Sequence, residues 1–219
     1  MTLYIVPTPI GNLKDITLRA LEILQSVDYI FCEDTRKTKI LLDHYKITNK
    51  KLISYFAPQE EKKLPLVLSI LKNNSGALVA DSGMPLISDP GHKLVKACWE
   101  NGIKVEVLPG PSAFLVALVG SGFPSNRFLF LGFLPKKGLE NFLIKFKNLN
   151  LPIVFYESAK RIEKTLVILQ KVFGKSDVVI ARELSKIHEE YLKGKIDEII
   201  DKIKDKKLKG EITIVLYQN

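Results

Sequence analysis

Cysteine is scarce in this chain, and long hydrophobic runs are absent. Among 219 residues only Cys32 and Cys98 are cysteines, too few for a disulfide framework. Apolar runs, such as residues 128–131, fall far short of the ~18 residues that cross a bilayer. No basic segment followed by an apolar signal core opens the sequence. We therefore expect a cytoplasmic protein in a reducing compartment, with no membrane partner.

Common nucleotide and metal signatures are absent as well. The sequence has no Gly-x-x-x-x-Gly-Lys-Ser/Thr loop, which disfavours a P-loop site, and its first turn lacks the Gly-x-Gly-x-x-Gly of nicotinamide enzymes. The three histidines, His44, His92 and His188, are scattered, and neither cysteine lies at a metal-type spacing. We expect no structural or catalytic metal ion.

Arginine is scarce, although cations as a whole are abundant. Lys and Arg number 33 against 24 Asp and Glu, which gives a net charge of +9. This excess favours a polyanionic partner, above all nucleic acid, although lysines on a solvated surface give the same balance.

Three of the five arginines directly follow predicted strand ends: Arg36, Arg161 and Arg182. A guanidinium is a rigid fork that can contact phosphate through two N–H groups, whereas a lysine is a mobile point charge. These three arginines are the better candidates for fixed contacts with phosphate or carboxylate groups. Internal ion pairs are the alternative for each arginine.

The first half of the chain alternates short apolar strands with amphipathic helices. Strands are predicted at 3–6, 29–32, 51–54, 77–80 and 104–108, and helices at 17–26, 38–45, 64–73, 91–100 and 112–120. Continuous apolar strands are typical of a parallel sheet that is covered on both faces. We predict an α/β fold with a doubly wound, mostly parallel sheet in a first domain, 1–121.

The second half, 122–219, is predicted to be an α/β domain with a mixed sheet that includes antiparallel strands. Its regular segments are predicted at 127–134, 152–156, 160–172, 178–181, 188–193, 195–204 and 211–217. Strands crowd together there with fewer helices between them. Residues 135–150 are either a helix or a basic loop.

Three rigid turns follow three of the first-half strands. They are residues 7–12, 81–85 and 109–113, each with glycine and proline. Glycine lets a ligand approach the main chain, and proline stiffens a turn. Since ligands of open α/β sheets bind at the carboxyl ends of the strands, the three turns predict a ligand crevice. Helix capping by Ser88, Asp89 or Ser112 is the structural alternative for those side chains.

Polar clusters end further strands. Residues 33–36 place two carboxylates and an arginine at the same predicted rim, where Thr35 is expected to cap the next helix and to leave Asp34 and Arg36 free. Residues 156–158 and 182–186 repeat this arrangement in the second half. Polar strand ends in both domains predict a cleft between them.

These segments carry a resemblance that covers nearly the full length. The matching motifs are Thr8-Pro9-Ile10-Gly11-Asn12, Glu33-Asp34-Thr35-Arg36, Pro109-Gly110-Pro111-Ser112-Ala113, Gly132-Phe133-Leu134-Pro135 and Phe155-Tyr156-Glu157-Ser158, with others at 15–21 and 85–91. In order and spacing they resemble the tetrapyrrole methylase superfamily (class III methyltransferases). Within it they are similar to enzymes that methylate small-subunit ribosomal RNA.

The resemblance implies a two-domain homodimer that binds S-adenosyl-L-methionine in its interdomain cleft. It implies methylation of the ribose 2′-hydroxyl of a cytidine in the decoding region of small-subunit (16S) ribosomal RNA, within the assembled 30S subunit. Carried over by motif, the cofactor contacts are Pro7, Thr8, Pro9, Gly11, Asp81, Ser82, Gly83, Met84, Pro85, Ser112, Ala113, Tyr156, Glu157, Ser158 and Ala181.

A carboxylate or lysine could act as general base toward the weakly acidic ribose hydroxyl. The candidates are Asp34, Asp89, Glu157 and Lys186, with Asp34 and Asp89 ranked first because each follows a strand end. An ion pair with Arg36 is the alternative for Asp34, and helix capping is the alternative for Asp89.

The RNA contacts expected with this resemblance are Arg36, Lys136, Lys137, Arg161 and Arg182. The sequence departs from the family pattern at 54–60, 136–140 and 159–161, where RNA contacts are also expected. Two other functions stay open. One is a methylase of a tetrapyrrole precursor with the same fold, and the other is a non-catalytic RNA-binding or ribosome-assembly protein.

Overall fold

The structure is a computed structural model, and it describes residues 1–204 and 206–218. The chain divides into two compact units, Met1–Ser112 and Ala113–Asn219. The units thus divide before helix α5 (Ala113–Ser121), whereas the sequence predicts the boundary after residue 121, where that helix ends. That helix groups with the second unit because it packs on strands of the second sheet.

The first unit contains a five-stranded parallel sheet, as the apolar strands predict. Its strands are β1 (Thr2–Val6), β2 (Tyr29–Cys32), β3 (Lys51–Ser54), β4 (Gly76–Val79) and β5 (Lys104–Val107). Their order is β3-β2-β4-β1-β5, and every neighbouring pair is parallel. The carboxyl ends of β4, β1 and β5 are therefore adjacent at one edge.

Helices cover both faces of this sheet, which confirms the doubly wound architecture. They are α1 (Leu18–Ser26), α2 (Thr35–His44), α3 (Glu60–Asn73) and α4 (His92–Glu100). Alternate residues of β1 enter different cores. Val6 packs with Ala20 and Leu24 of α1, whereas Ile5 packs with Leu71 of α3.

Two of these helices begin earlier than predicted. Helix α2 begins at Thr35 because Asp34 is its N-cap and accepts a hydrogen bond from the Arg36 amide. Helix α3 begins at Glu60 and contains Pro65 in its interior. Proline favours the first turn of a helix, so the prediction started the helix beside it.

The second unit contains a mixed sheet, as predicted. After α5 come β6 (Leu129–Phe133), α6 (Leu139–Ile144), β7 (Ile153–Ser158), α7 (Ile162–Phe173), β8 (Asp177–Arg182), β9 (Glu190–Lys195), α8 (Ile196–Ile203) and β10 (Glu211–Tyr217). The order is β6-β7-β10-β8-β9, in which β6 and β7 are parallel and the other pairs antiparallel. The open segment 135–150 contains the short helix α6.

The two faces of the second sheet are covered differently. Phe155 of β7 and Ile180 of β8 belong to the core that includes buried residues of α6, α7 and α8. Helix α5 packs on β7, β8, β9 and β10. At its carboxyl end, Lys193 Nζ donates to the Ser121 carbonyl at 2.8 Å and lies over the Phe123 ring. Lysine at this position satisfies a carbonyl that the helix leaves unpaired.

Within residues 1–204 and 206–218, every helix is too short or too polar to traverse a lipid bilayer.

Candidate functional site

The three predicted turns meet at the carboxyl edge of the first sheet. Thr8, after β1, exchanges two backbone hydrogen bonds of 3.0 Å with Gly83, after β4. The Thr8 hydroxyl is buried and donates to the Ala80 carbonyl at 3.1 Å. The first two turns are thereby joined by main-chain contacts, independently of the sheet ladder.

The third turn packs directly against the other two. A Cβ atom on Gly110 would lie 2.5 Å from Pro7 Cβ, so only glycine lets the turns after β5 and β1 approach this closely. Gly83 has φ +80°, and a Cβ there would lie 3.5 Å from the Pro111 carbonyl oxygen. The sequence motifs therefore correspond to one assembled backbone platform.

The predicted cofactor residues of the first unit belong to this platform. Pro7, Thr8, Gly83, Pro85 and Ser112 are buried; Pro9, Asp81 and Met84 are half-buried; Gly11 and Ser82 are exposed. Ala113 is the first residue of α5. Their role as cofactor contacts stays a prediction.

Asp34 is not the free carboxylate that the sequence suggested. It caps α2, and its two oxygens accept hydrogen bonds of 3.0 and 2.7 Å from Nε and Nη2 of Arg36. These hydrogen bonds hold the pKa of Asp34 well below its usual range. Thr35 was the expected cap, and the ion pair with Arg36 proves to be the correct alternative. Such a weak base is a poor proton acceptor, while the Arg36 side chain remains 88% exposed.

Asp81 braces the end of β4 against α2. Its Oδ1 accepts the Asp34 amide at 3.0 Å, and its Oδ2 lies 2.8 Å from Lys37 Nζ. Both carboxylate oxygens thus have protein partners. We assign Asp81 a structural role within the platform.

Asp89 differs from Asp34 and Asp81 in its surroundings. It has no hydrogen-bond or ion-pair partner among the described residues. Burial, with the negative charges of Glu33 and Asp81, raises its pKa to about 6. The expected helix cap is absent, because the N-cap of α4 is Gly91. No group of three or more His, Cys, Asp or Glu within residues 1–204 and 206–218 is arranged to hold a metal ion.

The loop that carries Asp89 has an unusual backbone. Leu86 has φ 71° and Ser88 has φ 69°, both in the left-handed region that favours glycine. Such strain persists only where neighbouring contacts fix the chain, and it is common at functional sites.

Glu60 supplies one of those contacts, and sequence reasoning missed it. Its side chain is 6% exposed, and its Oε1 accepts hydrogen bonds from the Gly91 amide at 3.0 Å and the Tyr55 hydroxyl at 3.3 Å. A signal was available, since Glu60 lies at helical spacing from the buried Val67 and Leu71. A carboxylate on the apolar face of a helix requires a buried partner.

The second unit also gathers its predicted residues at one edge. β7 and β8 both run antiparallel to β10, and β6 runs parallel to β7. The carboxyl ends of β6, β7 and β8 therefore lie on the same side of the sheet. Tyr156 and Ala181 are within the last residues of β7 and β8, and Ser158 ends β7. Ser158 is exposed, whereas Ala181 is buried, and their cofactor role stays a prediction.

Glu157 is a structural carboxylate. It is 3% exposed and accepts hydrogen bonds from the Thr165 hydroxyl at 2.6 Å and the Ser158 amide at 2.7 Å. Arg161 Nη2 lies 3.4 Å from Glu157 Oε2. These partners argue against Glu157 as a general base and as a polar cofactor contact.

Two predicted RNA-binding arginines and Lys186 are held by protein groups. Arg161 donates to the carbonyls of Leu134 and Pro135 at 3.2 and 3.1 Å. Arg182 pairs with Glu190 at 3.0 Å, and Lys186 lies 2.9 and 2.8 Å from Glu183 and Glu211. Internal ion pairs are the alternative for both arginines. The observed partners argue against Arg161 and Arg182 as RNA contacts and against Lys186 as a general base. Lys136 and Lys137 are exposed, as RNA contacts require.

Comparison with known proteins supports the same assignment of family. A family model described as "Tetrapyrrole (Corrin/Porphyrin) Methylases" matches residues 2–200. A "Ribosomal RNA small subunit methyltransferase I" of Hydrogenobaculum sp. (strain Y04AAS1) is 50% identical over 99% of this chain and 95% of the relative. A protein of the same name from Thermotoga maritima is 47% identical over 98% of this chain and 97% of the relative. The chain belongs to the tetrapyrrole methylase family, among its ribosomal RNA methyltransferases.

The fold of this tetrapyrrole methylase is also known from a solved structure. The native form of uroporphyrin III C-methyl transferase from Thermus thermophilus superimposes with a TM-score of 0.69, over 98% of this chain and 97% of that one. The sequences are 17% identical, so the likeness concerns the fold alone. Both the resemblance and the predicted fold class are confirmed.

The raised pKa of Asp89 predicts a pH-dependent stability difference. A carboxyl whose folded-state pKa lies above its usual 3.8 stabilises the fold while protonated, and this stabilisation is lost as pH rises through about 6. Asp89→Asn stays uncharged, so at pH 8 it should be more stable than the unmodified protein. Because solvent screens the half-buried carboxylate, the difference in free energy of unfolding should be roughly 1 kcal/mol, which corresponds to a Tm higher by about 2–4 °C. The two melting curves should coincide near pH 4. An equal difference at both pH values would contradict the shift.

Proposed function

We propose that this protein transfers a methyl group from S-adenosyl-L-methionine to the ribose 2′-hydroxyl of a cytidine in the decoding region of 16S ribosomal RNA. The observation that carries the proposal is the 50% identity, over nearly the full length of both chains, to a ribosomal RNA small subunit methyltransferase I. The net charge of +9 agrees with an RNA substrate. We take the 30S subunit in the cytoplasm as the physiological substrate.

The backbone platform of the first unit suits the cofactor. Gly110 and Gly83 leave the main chain open to close approach, and the Thr8–Gly83 pair fixes the turns before any ligand arrives. We propose that Pro9, Gly11, Ser82 and Met84, with the main chain of Gly83, hold S-adenosyl-L-methionine. The bound cofactor supplies an electrophilic methyl group on a sulfonium with a neutral leaving group.

Catalysis by this chain then depends on alignment and on one proton acceptor. The platform residues would hold the cofactor so that its methyl group is presented to the 2′-oxygen, and this proximity and alignment would supply most of the acceleration. We propose Asp89 as the group that takes the hydroxyl proton, because it lacks a protein partner and because a pKa of about 6 suits a base at neutral pH. Glu60 fixes the main chain two residues away at Gly91.

Two other parts of the proposal are coarser. The first is that the protein forms a homodimer, for which the exposed Leu115, Val116 and Val119 of α5 would supply apolar surface. The Phe114 and Phe123 rings contact the Phe130 and Tyr217 rings within the second unit. A tetrapyrrole substrate has only the fold in its favour, because the comparison with uroporphyrin III C-methyl transferase rests on 17% identity.

The first test is transfer of labelled methyl from S-adenosyl-L-methionine to hypomethylated 30S subunits, followed by alkaline hydrolysis. A 2′-O-methyl group blocks cleavage at its own linkage, so the label should appear in an alkali-resistant dinucleotide that contains cytidine. Label in mononucleotides would place the methyl group on a base. Absence of label despite cofactor binding would favour the tetrapyrrole or another substrate, whereas absence of cofactor binding would favour a non-catalytic role.

Asp89 and Asp34 should differ in their effect on this reaction. Asp89→Asn should lower kcat by about 10²–10⁴-fold, the usual contribution of a general base. Asp34→Asn should retain kcat and most of the stability, because Asn caps a helix about as well as Asp and the Arg36 partner of Asp34 is exposed. In the unmodified protein kcat should rise with pH through about 6 and then level, since the base acts when deprotonated. The opposite ranking of the two variants would exclude Asp89 as the base.

Gly110→Ala should weaken cofactor binding, whereas the control variant Gly102→Ala should lower stability without weakening it. The added Cβ at Gly110 would push the third turn away from Pro7, so affinity for S-adenosyl-L-methionine should fall roughly tenfold or more, or ~1.4 kcal/mol. Gly102 has φ +67° with no atom within 4 Å of the added Cβ and joins α4 to β5 at the opposite edge of the sheet. Its alanine variant should lose about 1–3 kcal/mol of stability through backbone strain and bind cofactor normally by calorimetry. Equal cofactor affinity in both variants would remove the platform from the cofactor site.

A further inference from the structure

A bulge in β6 determines where Phe133 points. Phe130 pairs with Val154 and Phe133 pairs with Tyr156, so two residues of β6, Leu131 and Gly132, oppose one residue of β7. Gly132 has φ 61°, which this irregularity requires. In a regular strand residues 130 and 133 would lie on opposite faces. The extra residue instead turns Phe133 to the same face as Phe130 and Tyr156.

Phe133 is the exposed end of a row of aromatic rings. The Phe114 and Phe130 rings are stacked at 4.3 Å, and the Phe130 and Tyr156 rings meet edge to face at 5.2 Å. The Phe133 ring lies 5.3 Å from the Tyr156 ring and is 66% exposed, whereas the other three residues are half-buried. The row holds Phe133 from behind and leaves ring surface open to solvent.

Three exposed lysines follow the same strand ends. Lys136 and Lys137 come after β6, and Lys160 comes after β7, which is its parallel neighbour. None of the three has a hydrogen-bond or ion-pair partner among residues 1–204 and 206–218. Arg161 binds the carbonyls of Leu134 and Pro135, so the turn that leads to Lys136 is fixed to the turn that carries Lys160.

We propose that Phe133 is a stacking platform for one unpaired base of the RNA substrate, with Lys136, Lys137 and Lys160 contacting the adjoining phosphates. An aromatic ring beside unpaired cations is the combination that recognises single-stranded RNA, because every base offers a π-face and every linkage a negative charge. The three lysines give the surface a charge that complements RNA. The inference rests on the proposed RNA substrate and adds the element that recognises it.

Variants at Phe133 test the ring itself. In methyl transfer to hypomethylated 30S subunits, Phe133→Ala and Phe133→Leu should raise the KM for subunits roughly 5- to 100-fold, the range for loss of one stacked base. Phe133→Trp should restore binding, because it keeps an aromatic face. The KM for S-adenosyl-L-methionine should not change. Val167→Ala is the matched control, since it removes a 54% exposed apolar side chain from α7 of the same unit.

Charge variants test the phosphate contacts. Replacement of Lys136, Lys137 and Lys160 by Gln should reduce the slope of log affinity against log salt concentration. Each phosphate contact on a single strand contributes roughly 0.7 to the magnitude of that slope, so the loss of three contacts should reduce it by about two. Gln at the exposed Lys164, Lys175 and Lys202 removes the same charge elsewhere on this unit and should leave the slope nearly unchanged. Equal slopes in the two triple variants would contradict the phosphate contacts.

Several outcomes would overturn the stacking platform. Leu performing as well as Trp at position 133 would indicate apolar packing, and a loss of dimer in Phe133→Ala on sedimentation would assign the ring to a second copy of the chain. A raised KM for S-adenosyl-L-methionine would assign it to the cofactor. If the unmodified protein labels no RNA at all, the proposed function fails. If it labels RNA and Phe133→Ala labels it equally well, this inference alone fails.

Discussion

Two backbone hydrogen bonds between Thr8 and Gly83 hold together the part of the molecule on which its proposed chemistry depends. The turns after β1 and β4 would otherwise be two loops, each free to move at its own strand end. Once joined, they form a surface against which the Gly110 turn packs with no room for a side chain. Loops positioned by a rigid scaffold commonly carry function. Here the scaffold extends into the loops themselves, because main-chain contacts bind the turns directly to one another.

The carboxylates around this platform have divided roles. Asp34 caps a helix and binds Arg36, Asp81 joins β4 to α2, and Glu60 holds the Gly91 amide. Each has partners that favour its charge or use its oxygens. Asp89 lacks such partners and faces the negative field of Glu33 and Asp81. A partnered carboxylate stabilises the fold and binds protons weakly, whereas Asp89 costs stability when charged and accepts a proton near neutral pH. Stabilising roles and the proposed catalytic role therefore fall on different carboxylates of one acidic rim.

The sequence was sufficient for the sheets and insufficient for several side-chain roles. β2 and β10 begin and end where the apolar runs predict, because burial on both faces leaves a continuous signal. The bounds of β3 are also as predicted, although its residues are exposed or half-buried. The first turn of α3 was missed, since Pro65 suggests a helix start by local preference while tertiary packing of Glu60 extends the helix. The sequence predicts reactive roles for Asp34 and Glu157 because it displays carboxylates without their contacts. Arg36 is two residues from Asp34, but Thr165 reaches Glu157 through the turn from β7 into α7.

The β6 bulge shows why the remaining features escape sequence reading. Regular alternation assigns Phe133 to the face opposite Phe130, and Gly132 alone indicates only that an irregularity is possible. The pairing with β7 determines the face on which Phe133 lies, because Phe133 is opposite Tyr156. Arg161 then acts at a distance in sequence by fixing the Leu134 and Pro135 carbonyls. Arg161, which the sequence predicts as a phosphate contact, instead orders the turn that leads to Lys136 and Lys137. Affinity for a polyanion can therefore depend on a cation that never touches it, since positioning lysines beforehand lowers the entropy lost on binding.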